Sequence, residues 1–383
     1  MERSFAWMAA TLVSESSNLD IIRGGNSLKL AIFGVNVSHG CAVSSAPGHI
    51  KVSWDESVRI ARLADKAGLE AIIPVARWKG FGGDTNFNHR CFETYTWAAG
   101  LAQATKNIFV FATSHVPTIH PVLAAKQSAT IDHISNGRFG LNIVAGWNEA
   151  EINMFGNRQK EHDERYQVAT EWLDLIKQLW SRSGYFDFDG KYFHCPQAYS
   201  EPKPIQQPRP FIVSAGVSPA GRKFAAQNAD MNFLLAPSLE VGAQILREVK
   251  AMARNKFGRE IQVWGMAALT HGESQKEAEK YYKYYVDQMG DWKGAEKAMN
   301  AIVPNSETFP EEFRNEMTRT LVAGYGAFPV VGTSEKIAES LLEMSSIGFD
   351  GITLSWVNYE EGLPRFVEEV LPLLEQAGVR RHH

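Results

Sequence analysis

The residues that could do chemistry by their type and spacing begin with a group of histidines and one acid: His115, His120, Asp132 and His133. Two histidines share a cation when i, i+4 spacing puts them on one helix face, but His115 and His120 are five apart and the first ends an extended run. No metal site is expected from them, because single histidines bonded near loops account for the pattern. No serine lies in a G-x-S-x-G turn. Cys41, Cys91 and Cys195 are widely separated, form no C-x-x-C pair and match no recognisable Cys–His pattern. Nucleophilic catalysis, a thiolate zinc site and a disulfide framework are therefore all disfavoured. The turn Gly34 to Gly40 does not supply the G-x-G-x-x-G of a dinucleotide site, and there is no P-loop.

What remains is a set of amides, hydroxyls and large apolar side chains. That inventory suits a bound cofactor that carries the difficult chemistry while the protein orients it and excludes water. One segment, Ser214-Ala215-Gly216-Val217-Ser218-Pro219-Ala220-Gly221, opens a helix with serine at the N-cap and proline at N1. Small residues, free N–H groups and the positive end of the helix dipole would make it an anion seat. An ordinary capped helix reads equally well.

These groups need elements that bring them to one place. Short β-branched or aromatic runs recur at Lys29 to Val35, Glu70 to Val75, Asn107 to Thr113, Arg138 to Val144, Pro210 to Ser214, Asp230 to Leu235, Ile261 to Leu269 and Gly351 to Ser355. Amphipathic stretches such as Trp54 to Ala67 and Glu164 to Trp180 lie between them. Strand then helix, eight times, predicts a closed parallel (β/α)8 TIM barrel, because each right-handed crossover returns the chain to the next parallel strand. In such a barrel the site forms at the carboxyl ends of the strands, and the residues there lack the paired carboxylates of a glycosidase.

Residues 28–378 are expected to form the barrel, after an N-terminal extension over 1–27. Two insertions interrupt it. Residues 183–208 read as a β-hairpin turning at Asp189-Gly190, and 289–316, with its glycines and prolines, reads as a long loop that could act as a mobile cover. The closing Arg380, Arg381, His382 and His383 read as a frayed tail. A formal net charge of −4 gives no footprint for nucleic acid, and no apolar stretch approaches the roughly 20 residues a membrane span needs. A reducing, cytoplasmic setting is the expectation.

Asp132-His133-Ile134-Ser135-Asn136-Gly137-Arg138 through Asn142 to Gly146-Trp147 resembles the signature of the bacterial-luciferase-like flavin monooxygenases. His162-Asp163-Glu164-Arg165-Tyr166 resembles the HDERY segment of that family, and Val331 to Glu335 with Gly348-Phe349-Asp350 resembles its closing strand region. Lys79 to Gly83 looks closest to the pyrimidine oxygenases of the family, and the HDERY region also resembles the dimethylsulfone and alkanesulfonate monooxygenases. The resemblance implies FMN, delivered as FMNH2 by a separate NAD(P)H:flavin reductase, with O2 as the second substrate. It places Ala76, Arg77, Asn142, Glu151, Arg165, Tyr166 and Ser218 around the cofactor, the last three at its phosphate. It also places Thr113 and Asn142 around oxygen, with Ile73 and Trp147 as apolar walls.

The implied reaction is oxygenation of a small organic molecule, with C–N, C–S or C–halogen cleavage among the outcomes. A deazaflavin-dependent oxidoreductase on the same barrel, or a flavin-binding subunit without catalysis, is the alternative. Arg77, Arg314 and Arg319 are the candidates to grip an anionic substrate. A homo-oligomer is expected.

Overall fold

The computed structural model describes Ile22 and residues 24–236, 238–302 and 310–381. In chain order its strands are β1 (Lys29–Phe33), β2 (Ala71–Ile73), β3 (Phe109–His115), β4 (Phe139–Val144), β5 (Phe186–Asp189), β6 (His194–Ala198), β7 (Phe211–Ser214), β8 (Met231–Phe233), β9 (Gln262–His271), β10 (Phe328–Gly332) and β11 (Gly351–Ser355). Eight of them pair in parallel in the order β1-β2-β3-β4-β7-β8-β9-β11, and β11 pairs back onto β1. The barrel is closed, and each of its strands overlaps one of the eight runs found in the sequence.

The ninth parallel strand, β10, was not among those runs. Ala267 and Ala268 of β9 partner β11 on one side and β10 on the other, so β10 continues the edge that β8 occupies lower down. Its sequence, Phe328-Pro329-Val330-Val331-Gly332, carries a proline, which cannot donate to a ladder and is tolerated at an outer edge. Beyond β10, Thr333 caps the helix Ser334–Ser346, and Gly348-Phe349-Asp350 lead into β11, the closing strand.

Alternation along the strands separates lumen from outer shell. Ala31, Phe33, Ile73, Phe109, Phe111, Phe211, Val213, Met231, Phe233, Trp264 and Met266 form one buried cluster, spaced two apart within each strand. Their neighbours Leu30, Ile32, Val110, Ala112, Leu141, Ile143 and Ile212 join the cluster under the helices. The first set fills the barrel. By the same period, Thr113 follows Phe109 and Phe111 on the inward face of β3, and Asn142 lies inward between Leu141 and Ile143 of β4. Glycine is required at 140, where a Cβ would stand 2.1 Å from the Phe111 ring.

The chain end corrects one expectation. Arg380 is no frayed tail: it is 5% exposed, and its guanidinium donates to Glu70 at 2.9 and 3.1 Å, to the Leu28 carbonyl at 2.9 Å and to the Gly68 carbonyl at 2.8 Å. These groups precede β1 and β2, so the latch seals the amino end of the barrel. Of the N-terminal extension, residues 1–21 and 23 lie outside the described residues.

The β5–β6 hairpin is present, and Glu171 fixes its tip by accepting N–H bonds from Lys191, Tyr192 and Phe193. The second insertion differs from the loop its glycines and prolines led us to expect. It contains the helix Trp292–Ile302 and the start of the helix Glu311–Gly324, and 303–309 lies outside the described residues. Among the described residues no helix is long and apolar enough to cross a membrane.

Candidate active site

Thr113 and Asn142 are register partners on β3 and β4 near the carboxyl end of the barrel. The Thr113 hydroxyl donates to the Pro74 carbonyl at 2.7 Å, so toward Asn142 it can only accept. Asn142 Nδ2 therefore turns to it, at 3.1 Å, and the amide oxygen is left buried without a hydrogen-bond partner. A buried amide oxygen with no partner carries a desolvation cost of about 1–3 kcal/mol, and a ligand that donates a hydrogen bond there removes it.

Beside them the end of β2 is pinned by Asn36, which accepts from the Val75 N–H at 2.9 Å and donates to the Val75 carbonyl at 2.7 Å. The next residues are Ala76 and Arg77, both buried. Arg77 leans on Phe81 and Trp147, its guanidinium carbon 5.0 and 4.8 Å from the ring centres, and the two rings stack at 6.3 Å and 8°. Its Nη1 lies 3.4 and 3.5 Å from the two Glu151 carboxylate oxygens, and Nη2 donates to the Tyr325 hydroxyl at 2.7 Å. Glu151 comes from the short helix Glu149–Met154 after β4 and accepts the Trp78 and Lys79 N–H groups at 2.8 and 3.1 Å. It thereby ties the exits of β2 and β4 together.

His115, at the end of β3, stands 3.7 Å from Glu151. Burial pushes its imidazole down to about 4, against the upward pull of Glu151, so it is neutral near pH 7. The histidine–acid grouping read in the sequence is not assembled. His120 caps the helix Pro121–Ile134 and His133 faces the Lys203 carbonyl, while Asp132 binds the backbone of Ile205 and Gln206. Among the described residues no cluster could hold a metal ion.

The proposed anion seat is built after β7. Ser218 is the N-cap of the helix Pro219–Asn228 and accepts the Gly221 N–H at 3.1 Å. Gly216 packs backbone to backbone on Gly221: a Cβ at 216 would sit 2.6 Å from the Gly221 Cα, and one at 221 would sit 2.6 Å from the Tyr166 hydroxyl. Asn232 on the next strand holds the turn by donating to the Ser214 carbonyl at 2.8 Å. Tyr166, whose hydroxyl lies against Gly216 and Gly221 and whose phenol is pushed up by burial, comes from the start of the helix His162–Ser181. Arg165 beside it donates to the Gly146 carbonyl at 2.6 Å, and its buried Nε has no partner. Two glycines, a helix N-terminus and a phenol converge on one turn, with the Arg165 guanidinium held at the exit of β4.

Every residue assigned to the site lies toward the carboxyl end of a strand or in the segment that follows it. Ile73 is the last residue of β2 and also joins the lumen packing. The sequence reading missed Tyr325, which ends the helix Glu311–Gly324, and the docking of that insertion onto the loops after β1 and β2. Asp291 accepts the Thr85 N–H and hydroxyl at 2.8 Å each, and Ser44 donates to the Tyr285 carbonyl at 2.7 Å. One local signal existed. A tyrosine stands where a helix usually ends on glycine, with Gly326 one place later.

Comparison with known proteins identifies the family and the fold. The profile of the luciferase-like monooxygenases matches residues 33–351. A pyrimidine monooxygenase, RutA, of Bradyrhizobium sp. (strain BTAi1 / ATCC BAA-1182) is 30% identical over 367 residues, spanning 92% of this chain and 99% of the relative. Among solved structures, the riboflavin lyase RcaE, crystallised with modified FMN and riboflavin, superposes with a TM-score of 0.82 at 21% identity, covering 92% of each chain. The long-chain alkane monooxygenase LadA gives 0.81 at 20% identity over 93% of each chain.

Proposed function

The chain belongs to the luciferase-like monooxygenase family, and from that premise we propose that it is a two-component enzyme taking reduced FMN from a separate NAD(P)H-dependent reductase and oxygenating a small, uncharged heteroaromatic amide. The observation that carries the reading is the Asn142 amide, turned by Thr113 so that a buried oxygen is left for a ligand. Reduced FMN supplies the two electrons that allow one atom of O2 to enter the substrate while the other leaves as water.

Each residue has a task in this reading. Arg165, Tyr166 and the Ser218 turn hold the phosphate through charge and the helix N-terminus. Asn142 and Thr113 fix the reacting edge, and Trp147 with Phe81 walls it from water, which would otherwise release oxygen as hydrogen peroxide. Ala76 and Arg77 border the ring system, with Glu151 keeping their loop in place.

Two of the three candidate arginines are already engaged, which weighs against a sulfonate. Arg77 is already paired with Glu151 and Tyr325, and Arg319 is paired with Asp287 at 2.7 Å. The likeness to a pyrimidine monooxygenase points to cyclic amides, and to C–N cleavage among the outcomes. Equilibrium binding and turnover test the proposal together. The purified protein is expected to bind reduced FMN more tightly than FMN and to turn over only when a reductase is added. Oxidation of NADH by the protein alone at catalytic rates would refute it.

A further inference from the structure

Tyr325 occupies a position its side chain does not favour. It ends the helix Glu311–Gly324 with φ 59° and ψ 30°, left-handed values that a bulky residue adopts only when its surroundings hold it there. Two contacts hold it. Its ring packs 5.9 Å from Phe87, and its hydroxyl accepts from Arg77 Nη2 at 2.7 Å, the shortest hydrogen bond that guanidinium makes. The Arg77–Glu151 contacts are long, at 3.4 and 3.5 Å, so the phenol sets the guanidinium more firmly than the carboxylate does. Through Arg77 the contact reaches Trp147, Phe81 and Glu151, which in turn holds the Trp78 and Lys79 amides.

We infer that Tyr325 is a positioning residue: by fixing Arg77 it couples the docking of the helix Glu311–Gly324 to the order of the cofactor-bordering loop after β2. The inference rests on the flavin reading above. It makes that helix sense the occupied site without touching the cofactor, and it makes the site bind less well when the helix is loosened. No other described residue of the insertion helices makes a side-chain hydrogen bond to Arg77.

Two measurements on the full chain, with oxidised FMN as probe, decide the matter. In a double-mutant cycle, Tyr325→Phe keeps the ring and loses only the hydroxyl. It should weaken FMN binding about tenfold, as expected for one hydrogen bond to a charged group, and by less than about twofold once Arg77→Gln is already present. Equal losses in both backgrounds would mean that Tyr325 acts by general stability, and would overturn the inference. In hydrogen exchange, FMN should slow the amides of the helix Glu311–Gly324 in the parent protein and not in Tyr325→Phe. Full protection in that variant, or none in a parent protein that binds FMN, would also overturn it. If the parent protein binds neither FMN nor reduced FMN, the flavin reading itself fails, an outcome distinct from the others.

Discussion

The barrel carries a buried arginine–glutamate pair at each end, and the two are built differently. At the amino end Arg380 meets Glu70 at 2.9 Å, and the Leu28 and Gly68 carbonyls take further N–H groups of the guanidinium. Glu70 in turn accepts from the Leu30 N–H at 2.7 Å and from Asn26. At the carboxyl end Arg77 and Glu151 stand 3.4 Å apart, the guanidinium rests on aromatic faces, and the unpartnered Asn142 oxygen lies on β4, the strand that Glu151 follows. A pair whose hydrogen bonds are short and shared with the backbone locks a fold. One left long, next to an unmet acceptor and aromatic walls, is arranged for something that arrives later.

The comparison can be broken at either end. The largest effect is expected from Glu70→Gln, which strands a buried guanidinium: breaking such a pair costs about 3–5 kcal/mol, read as a lower urea midpoint. Flavin affinity of the still-folded protein should stay near the parent value, because the site lies at the other end. Next comes Asn142→Ala, which removes one oxyanion-type partner worth about 2.7–4 kcal/mol. Product should fall by about two orders of magnitude or more while hydrogen peroxide rises, with the urea midpoint little changed. Parent product yield in this variant would remove Asn142 from the chemistry.

A third, smaller effect depends on pH and belongs to the carboxyl end alone. His115 resists protonation to about 4 in the fold, against 6.5 in the unfolded chain, so between these values the unfolded state binds the extra proton. Its contribution is fully present above pH 6.5 and is lost as pH falls toward 4, with an upper bound of roughly 3 kcal/mol. His115→Asn should flatten the stability profile in that window; an unchanged profile would show that the imidazole titrates normally. The smallest effect is that of Ser218→Ala, a lost N-cap costing about 1 kcal/mol in stability. Under the proposed phosphate seat it should also weaken FMN binding, and Arg165→Ala more so.

The sequence reading succeeded where residue type and local period decide the outcome. Several of the eight barrel strands are nearly continuous apolar runs, and Ser218-Pro219 announces a helix start whatever it faces. Thr113 and Asn142 are named by resemblance, but their inward direction follows from the two-residue period of β3 and β4. What sequence alone could not give was contact between distant segments. Arg380 looks like a tail until its partner, Glu70, is found 310 residues away. Tyr325 lies 248 residues from Arg77, so no local pattern links them. The insertion was read from its glycines and prolines as a loop, yet its helices are stabilised by burying Ala295, Ala298, Met299 and Val322 against Val43, Phe81 and Phe87. That is tertiary packing, which overrides local propensity.

The central claim, that the carboxyl end of this barrel joins reduced FMN to molecular oxygen for oxygen insertion, is tested most directly by following the oxygen atoms. With the protein, a separate NAD(P)H:flavin reductase, FMN, NADH and a panel of pyrimidines under 18O2, mass spectrometry should find a single 18O atom in the product. The same reaction in H2 18O under ordinary O2 should leave the inserted oxygen unlabelled. Label drawn from water, or product formed under nitrogen with reduced FMN, would contradict the account.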